Sequence, residues 1–261
     1  MLMEKYWMIV EEVINESDFV IEVVDSRMIE STRNKRAEDY VRKNGKQLII
    51  VASKSDLVSE ETIEYYRRKF RRIPFFFVSV REREGVTHLK KKMFEIIKKR
   101  SKTYMISISV IGYPNTGKSS LINALSGKRK TNVGSKPGMT RSIQWIKLVS
   151  NIRFIDTPGV IPMSDDDEVK QIMMNTLDPS NSNRVDEAAR EIVKTLLKHD
   201  RDSFEKLYNI ETNGKTFEKI VEGIGKLRKM MIKGGKIDKR RVHLRIIDDW
   251  QKGKIIMKKQ N

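Results

Sequence analysis

Short apolar runs separated by longer amphipathic stretches fill the first 157 residues. Residues 19–25 (FVIEVVD), 47–53 (QLIIVAS) and 74–79 (PFFFVS) are aliphatic, β-branched or aromatic and too short for helices. Residues 105–111, 143–149 and 152–156 repeat that texture. Between them, residues 60–72 suit a helix. Val86, Leu89, Met93 and Ile97 recur at helical spacing among Lys90, Lys91, Lys92, Lys98 and Lys99. Near-continuous apolar strands alternating with helices predict a mostly parallel sheet covered on both faces. After Pro162 the strand signals stop. Ile220, Ile224, Leu227 and Met231, then Val242, Ile246 and Trp250, keep a helical period. Residues 163–167 (MSDDD) read as the connection. The pattern predicts an α/β domain over residues 1–164 and an all-helical domain over 165–261.

Charge adds a partner class. The 261 residues hold 53 Lys and Arg against 35 Asp and Glu, a net of +18. Residues 67–102 carry +11 of it and residues 226–261 carry +10, so the remainder is slightly acidic. One basic run is ordinarily a solvated helix face, but two in one chain fit an electrostatic footprint for a phosphate backbone. The absence of cysteine excludes a disulfide scaffold and a thiolate metal site, and the three histidines are scattered. No apolar run approaches the roughly 18 residues of a membrane span. The N-terminus lacks the basic-then-apolar pattern of a signal peptide. A cytoplasmic location is expected, with no membrane contact.

Residues 112–120, GYPNTGKSS, form a G-x-x-x-x-G-K-S phosphate loop between a strand and a helix. Its glycines let backbone N–H groups wrap phosphates, and the helix N-terminus adds its dipole. Asn115, Thr116, Gly117, Lys118, Ser119 and Ser120 then line the phosphates. Lys118 reaches the β and γ groups, and the Ser119 hydroxyl holds Mg²⁺. DTPG at 156–159 ends a strand, where Asp156 can hold the Mg²⁺ shell through water and the Gly159 N–H can contact a γ-phosphate. Between them SKPGMTRS (135–142) offers Thr140, which can close onto Mg²⁺ and the γ-phosphate.

SKSD at 53–56 comes after a buried strand. Asp56 can accept from the N1–H and 2-amino groups of guanine, which adenine lacks, while the Lys54 stem lies over the base. VSVREREG (78–85) puts Ser79 and Val80 near guanine O6. These are five GTPase elements in the order base loop, base-side loop, phosphate loop, first switch, second switch. Joining the ends of the usual fold and cutting after the second switch gives this order without disturbing the sheet. The fold expected is a circularly permuted P-loop GTPase domain with a C-terminal all-helical domain behind it.

The sequence resembles the circularly permuted GTPases of the RbgA/YlqF type over nearly its whole length. The likeness runs through VIEVVDSRMIESTRN, GYPNTGKSSLINAL, KPGMTRSIQWIKL, DTPGV and GGKIDKRRVHLRIIDDWQKGKI. It implies a GTP-hydrolysing switch in large ribosomal subunit assembly, with GTP or GDP and Mg²⁺ bound. It also implies a C-terminal domain that binds large-subunit rRNA in the pre-ribosomal particle, and a chain monomeric when free. Lys118, Thr140 and Gly159 would serve catalysis, and Ser119, Thr140 and Asp156 the metal. Three departures stand out. Ser53 replaces the family's Asn, which should weaken the tie to the phosphate loop. Ile29-Glu30 replaces a proline region, and no Phe-Pro-Gly-His segment is present to supply the histidine proposed to assist hydrolysis. Val160 stands where Ras-like proteins carry a water-orienting Gln, so unaided turnover should be slow. Asn115 in the P-N-x-G-K pattern either helps hold K⁺ beside the phosphates or simply fits the turn. Two rivals remain: a GTPase acting on tRNA or another structured RNA, and an RNA-binding structural factor that holds GTP with negligible turnover.

Overall fold

The structure, a computed structural model, describes residues 2–100, 105–127, 144–149, 151–156 and 167–257. Its elements run α1 (Leu2–Asn15), β1 (Phe19–Asp25), α2 (Ile29–Thr32), α3 (Lys35–Lys43), β2 (Gln47–Ser53), α4 (Glu60–Lys69), β3 (Phe75–Val78), α5 (Val86–Arg100), β4 (Ile106–Ile111), α6 (Lys118–Ser126), β5 (Gln144–Val149) and β6 (Ile152–Asp156). The rest is helical: α7 (Glu168–Met173), α8 (Val185–His199), α9 (Arg201–Tyr208), α10 (Phe217–Leu227) and α11 (Lys239–Gln251).

Two compact units divide these elements. One comprises Met1–Asp56 and Ile63–Asp165, the other Leu57–Thr62 and Asp166–Asn261. In the first, six strands form one sheet in the order β3-β2-β1-β4-β6-β5. All neighbours are parallel except the β5–β6 pair. Alternation along β1 explains why so apolar a run folds as a strand. Phe19, Ile21 and Val23 face a core with Leu89, Met93 and Ile97 of α5 and Leu121, Ile122 and Leu125 of α6. Val20 and Val24 face the opposite core, with Val10 and Ile14 of α1 and Ala37 and Val41 of α3. Every residue of β1 is therefore buried. The mostly parallel sheet predicted from sequence is observed. Ile29-Glu30 starts the single helical turn α2, with Ile29 in the core and Glu30 paired to Lys69.

In the second unit α8 and α11 pack together through Ala188, Ala189, Ile192, Leu196, Val242, Ile246 and Trp250, all buried. The Trp250 indole donates to the Met173 carbonyl at 2.9 Å, fixing α11 to the end of α7. The helical period through Met231 predicts a longer α10 than forms. That helix ends at Leu227, Lys229 turns left-handed at φ 51, and Met231 pairs antiparallel with Ile237. Residues 231–237 thus make a tight turn ahead of α11.

One polar residue interrupts the apolar β1. Glu22 is fully buried, and one of its oxygens accepts from the Asn34 backbone N–H at 2.5 Å. Arg33 meanwhile grips the buried Glu38 carboxylate through two hydrogen bonds of 2.7 Å. Burial first, and then the Glu38 charge, push the Glu22 carboxyl well above the usual carboxylate range. A raised folded value stabilises the native state below the unfolded value of 4.5, and that stabilisation is lost as pH rises toward the folded value. Glu22→Gln keeps the acceptor and removes the titration. Its melting temperature should exceed wild type by more at pH 8 than at pH 5; a difference independent of pH would contradict this protonation state.

Candidate nucleotide site

Parallel strands bring their C-terminal ends to one edge of the sheet, the place where open α/β sheets bind ligands. Asp25, Ser53, Val78, Ile111 and Asp156 are the last residues of five such strands. Each leads directly into one of the stretches singled out above, or into Ser26-Arg27. Segments more than 100 residues apart in the chain meet there through strand order alone.

The phosphate loop leaves β4 through Gly112 at φ 142, where a Cβ would lie 2.4 Å from the Val23 carbonyl oxygen of β1. Only glycine fits that approach. Asn115 and Gly117 also take positive φ, of 60° and 96°, which curls the loop before α6 opens at Lys118. The Thr116 hydroxyl donates to the Tyr113 carbonyl at 2.9 Å. The Lys118 ammonium folds back onto the Gly112 and Tyr113 carbonyls at 3.1 and 2.8 Å. Gly117 caps α6 without a side chain, leaving first-turn N–H groups directed to the loop, and Ser119 and Ser120 are half-buried in that turn. A concave loop of amides with a cation at its base suits a polyphosphate.

Ser53 makes the tie between the two halves of the site. Its hydroxyl lies 2.5 Å from the Thr116 carbonyl of the phosphate loop and 3.0 Å from the Val24 carbonyl of β1. Serine replaces asparagine here without losing the connection, although its one proton must serve both acceptors. Next, Lys54 takes φ 57 and aims its ammonium at Asp25, 2.7 Å away. Asp56 lies half-exposed in a 3₁₀ turn and makes no hydrogen bond or ion pair among the described residues. On β3's side, the Ser79 hydroxyl accepts from the Glu82 N–H at 3.0 Å, and Val80 packs onto the core. Gly85, at φ 73, closes that loop where a Cβ would meet the Phe77 carbonyl oxygen.

Asp25 and Arg27 are members of the site that motif reading did not assign. The buried Asp25 carboxylate accepts from the Arg27 backbone N–H and Nε at 3.0 Å and from Arg27 Nη2 at 2.7 Å, besides Lys54. Burial alone would raise this carboxyl. The Arg27 guanidinium and the Lys54 ammonium outweigh it and hold Asp25 far below the usual carboxylate range. Burial also lowers Lys54 from the ordinary amine range, with Asp25 opposing. The signal was present in VVDSR as an acidic residue ending a wholly apolar strand. Thr140, Gly159 and Val160 lie outside the described residues, and Asp156 is placed as the end of β6, opposite Val110 of β4. Among the described residues no three His, Cys, Asp or Glu side chains cluster as a metal site. Mg²⁺ bound beside phosphates draws on hydroxyl, water and phosphate oxygens more than on a carboxylate cage. The Ser119 hydroxyl, a hard oxygen in the first turn of α6, fits such a donor set.

Residues 107–221 match the family described as 50S ribosome-binding GTPase, a match that begins at β4. The chain is 34% identical to an uncharacterised GTP-binding protein of Methanocaldococcus jannaschii, over 95% of this chain and 65% of that one. It is 31% identical to nucleolar GTP-binding protein 2 of Saccharomyces cerevisiae, over 97% of this chain and 52% of that one. The chain thus spans between about half and two thirds of these relatives' lengths. In fold it is similar to YlqF from T. maritima bound to GNP, with a TM-score of 0.63 and 23% identity, over 96% of this chain and 94% of that one. The loops after β2 and β3 precede the phosphate loop on β4 in one mostly parallel sheet, and with the likeness to YlqF this defines a circularly permuted P-loop GTPase fold. Within that class the chain's fold is similar to that of YlqF, both in the GNP-bound form and in the GDP-bound form, which matches with a TM-score of 0.64 and 21% identity.

Removing one partner of a buried ion cluster costs about 3–5 kcal/mol. Asp25→Asn should lower unfolding stability at pH 7 by roughly 3 kcal/mol, because Arg27 and Lys54 lose their shared anion. A depressed folded value stabilises above the unfolded value of 3.8 and is lost as pH falls through the folded one. The gap between wild type and Asp25→Asn should therefore narrow below about pH 3.8 in denaturant titrations. A gap that stays constant down to pH 2 would contradict the ion cluster.

Proposed function

We propose that this chain is a GTP-binding and GTP-hydrolysing switch that binds rRNA during assembly of the large ribosomal subunit. The observation that carries the nucleotide part is the meeting of residues 53–56, 79–80 and 112–120 at one sheet edge, with an Asp56 carboxylate that has no hydrogen bond or ion pair among the described residues. In this reading Asp56 accepts from guanine N1–H and the 2-amino group. Lys54, held by Asp25, lays its stem over the base, and the loop at Ser79 and Val80 borders O6. Asn115, Thr116, Gly117, Lys118, Ser119 and Ser120 surround the phosphates, with Asn115 also the residue that would border a K⁺ ion. Ser119, Thr140 and Asp156 would hold Mg²⁺, whose chemistry is to neutralise charge on the β and γ oxygens. Water attacks the γ-phosphate while Lys118 and the loop amides, with Thr140 and Gly159, stabilise the charge that develops. Val160 offers no hydrogen bond to that water, so turnover without a partner is slow; the same residue favours a second reading, a factor that holds GTP with negligible turnover.

The RNA part rests on unpaired charge in the helical unit. Lys226, Lys229, Lys233, Lys236 and Arg241 are exposed, and their side chains form no hydrogen bond or ion pair among the described residues. Other cations of the same unit are paired, as in Arg184–Glu187, Arg190–Glu218 and Lys252–Asp248, while Lys198, Lys206, Lys215, Lys219 and Lys239 are exposed with side chains that make no hydrogen bond or ion pair among the described residues. Lys226, Lys229, Lys233, Lys236 and Arg241 lie in or close to the turn at residues 231–237 along the chain, and Met231 and Ile232 of that turn are exposed as well. Cations left without anions beside exposed apolar side chains suit a phosphate backbone with accessible bases. The GTPase family described as 50S ribosome-binding directs the choice toward the large subunit rather than tRNA. The protein would act wherever large subunits are built, which is the cytoplasm in a cell without a nucleus.

Replacing those five cations with Gln should weaken binding to large-subunit rRNA and reduce the slope of log K against log salt by about 4. GTP affinity should stay within twofold. Crosslinking in cells should recover large-subunit rRNA. Recovery of tRNA alone, or an unchanged salt slope in the variant, would overturn the proposal.

A further inference from the structure

Among the described residues the Asp56 side chain makes no hydrogen bond or ion pair, and the backbone on either side places its carboxylate. On the N-terminal side the Ser53 hydroxyl meets the phosphate loop. On the C-terminal side the chain passes at once into the second compact unit, which includes Leu57–Thr62. Leu57 and Val58 are buried there. The Met257 N–H donates to the Leu57 carbonyl at 2.8 Å, and Val58 pairs with Met257 in a parallel bridge. Gly253, left-handed at φ 64, faces the Leu57 side chain so closely that a Cβ would lie 2.8 Å from Leu57 Cδ1.

The segment that grips Leu57 is itself fixed to the end of α11. The Gly253 N–H donates to the Trp250 carbonyl at 3.0 Å, and the Lys254 N–H to the Asp249 carbonyl at 2.9 Å. The Lys254 ammonium also reaches the buried Asp249 carboxylate at 2.8 Å. Ile255 and Met257 are buried. α11 therefore begins at the basic turn of residues 231–237 and ends in a strap, residues 253–257, that holds the residue after Asp56.

We propose that residues 253–257, through Gly253 and Met257 on Leu57, position the Asp56 carboxylate and so set discrimination for guanine; this rests on Asp56 being the base acceptor. Leu57, Gly253 and Met257 are positioning residues. A recognition group must be held to within about half an ångström of its working geometry. Asp56 and Leu57 share a peptide bond and one 3₁₀ turn, Ser55–Leu57, so a shift of the strap moves the carboxylate. Whatever shifts α11 would change guanine affinity, and by linkage guanine nucleotide would change affinity at α11 by the same factor.

The test compares GDP with IDP, which lacks the 2-amino group, by titration calorimetry on the full chain. Gly253→Ala places a methyl against Leu57, and Met257→Pro deletes the N–H that the Leu57 carbonyl accepts. The second change acts on the other side of the contact, through the Met257 N–H and its buried side chain, so it keeps the test alive if the first disturbs folding. Both variants should lose about tenfold in GDP affinity and less than threefold in IDP affinity, the signature of one misplaced charged acceptor. Equal losses for GDP and IDP, or no loss in Met257→Pro, would overturn the strap. Asp56→Asn serves as the reference: if it leaves the GDP-to-IDP ratio at the wild-type value, the base assignment falls and the strap with it. If it collapses the ratio while the strap variants do not, only the strap is rejected.

Discussion

The Ser53 hydroxyl holds the two halves of the candidate nucleotide site in register. Ser53 ends β2, Val24 lies on β1, and Thr116 lies in the loop after β4, so the Ser53 Oγ touches carbonyls from the two neighbouring strand ends and ties three strands together. The base loop and the phosphate loop are 63 residues apart in the chain and have no covalent route between them through this edge. Their spacing is kept by the β2–β1–β4 order, with Phe19 opposite both Gln47 and Ile108, and by this one bond across the top. The Asp25 cluster adds a second link, since the same carboxylate holds Arg27 of its own loop and Lys54 of the next.

That geometry explains why circular permutation leaves the site intact. The sheet's stability comes from two apolar faces, and neither depends on which strand comes first in the chain. Each loop is anchored at its own strand end by local features: Gly112 against Val23, Gly85 against Phe77, and Asp25 on Arg27. Moving the chain ends alters loop connections while the strand order, and so the edge, stays the same. Permutation does change the path of the chain beyond the base loop, which after Asp56 enters the second unit for six residues before α4 continues.

Much of this was legible in the sequence because it depends on local pattern. The apolar runs forecast the strands to within a residue or two, since a strand buried on both faces must be apolar throughout. The phosphate loop declared itself through glycines at positions where the structure shows positive φ. Other features depend on distant partners and carry no period. Leu57 and Met257 pair over 200 residues, and a two-residue bridge leaves no trace in either stretch. Met231 fits the period of α10, yet the left-handed Lys229 ends that run and sends it into the turn. Asp25 was visible as part of a family pattern, but its partners Arg27 and Lys54 could be assigned only once β1 and β2 lay side by side. Ser53 was expected to weaken the tie to the phosphate loop. The register brings its short side chain close enough to keep a tie, with one proton shared between two acceptors.

Selection of guanine by Asp56, at the edge of a permuted sheet, is the property on which the whole functional reading turns. Titrating the unmodified chain with GDP and with ADP, at fixed salt and Mg²⁺, measures it. GDP should bind at least about 100-fold more tightly, since adenine offers no donor pair to the Asp56 carboxylate and would leave that carboxylate without a partner. Equal affinities for the two nucleotides would contradict it.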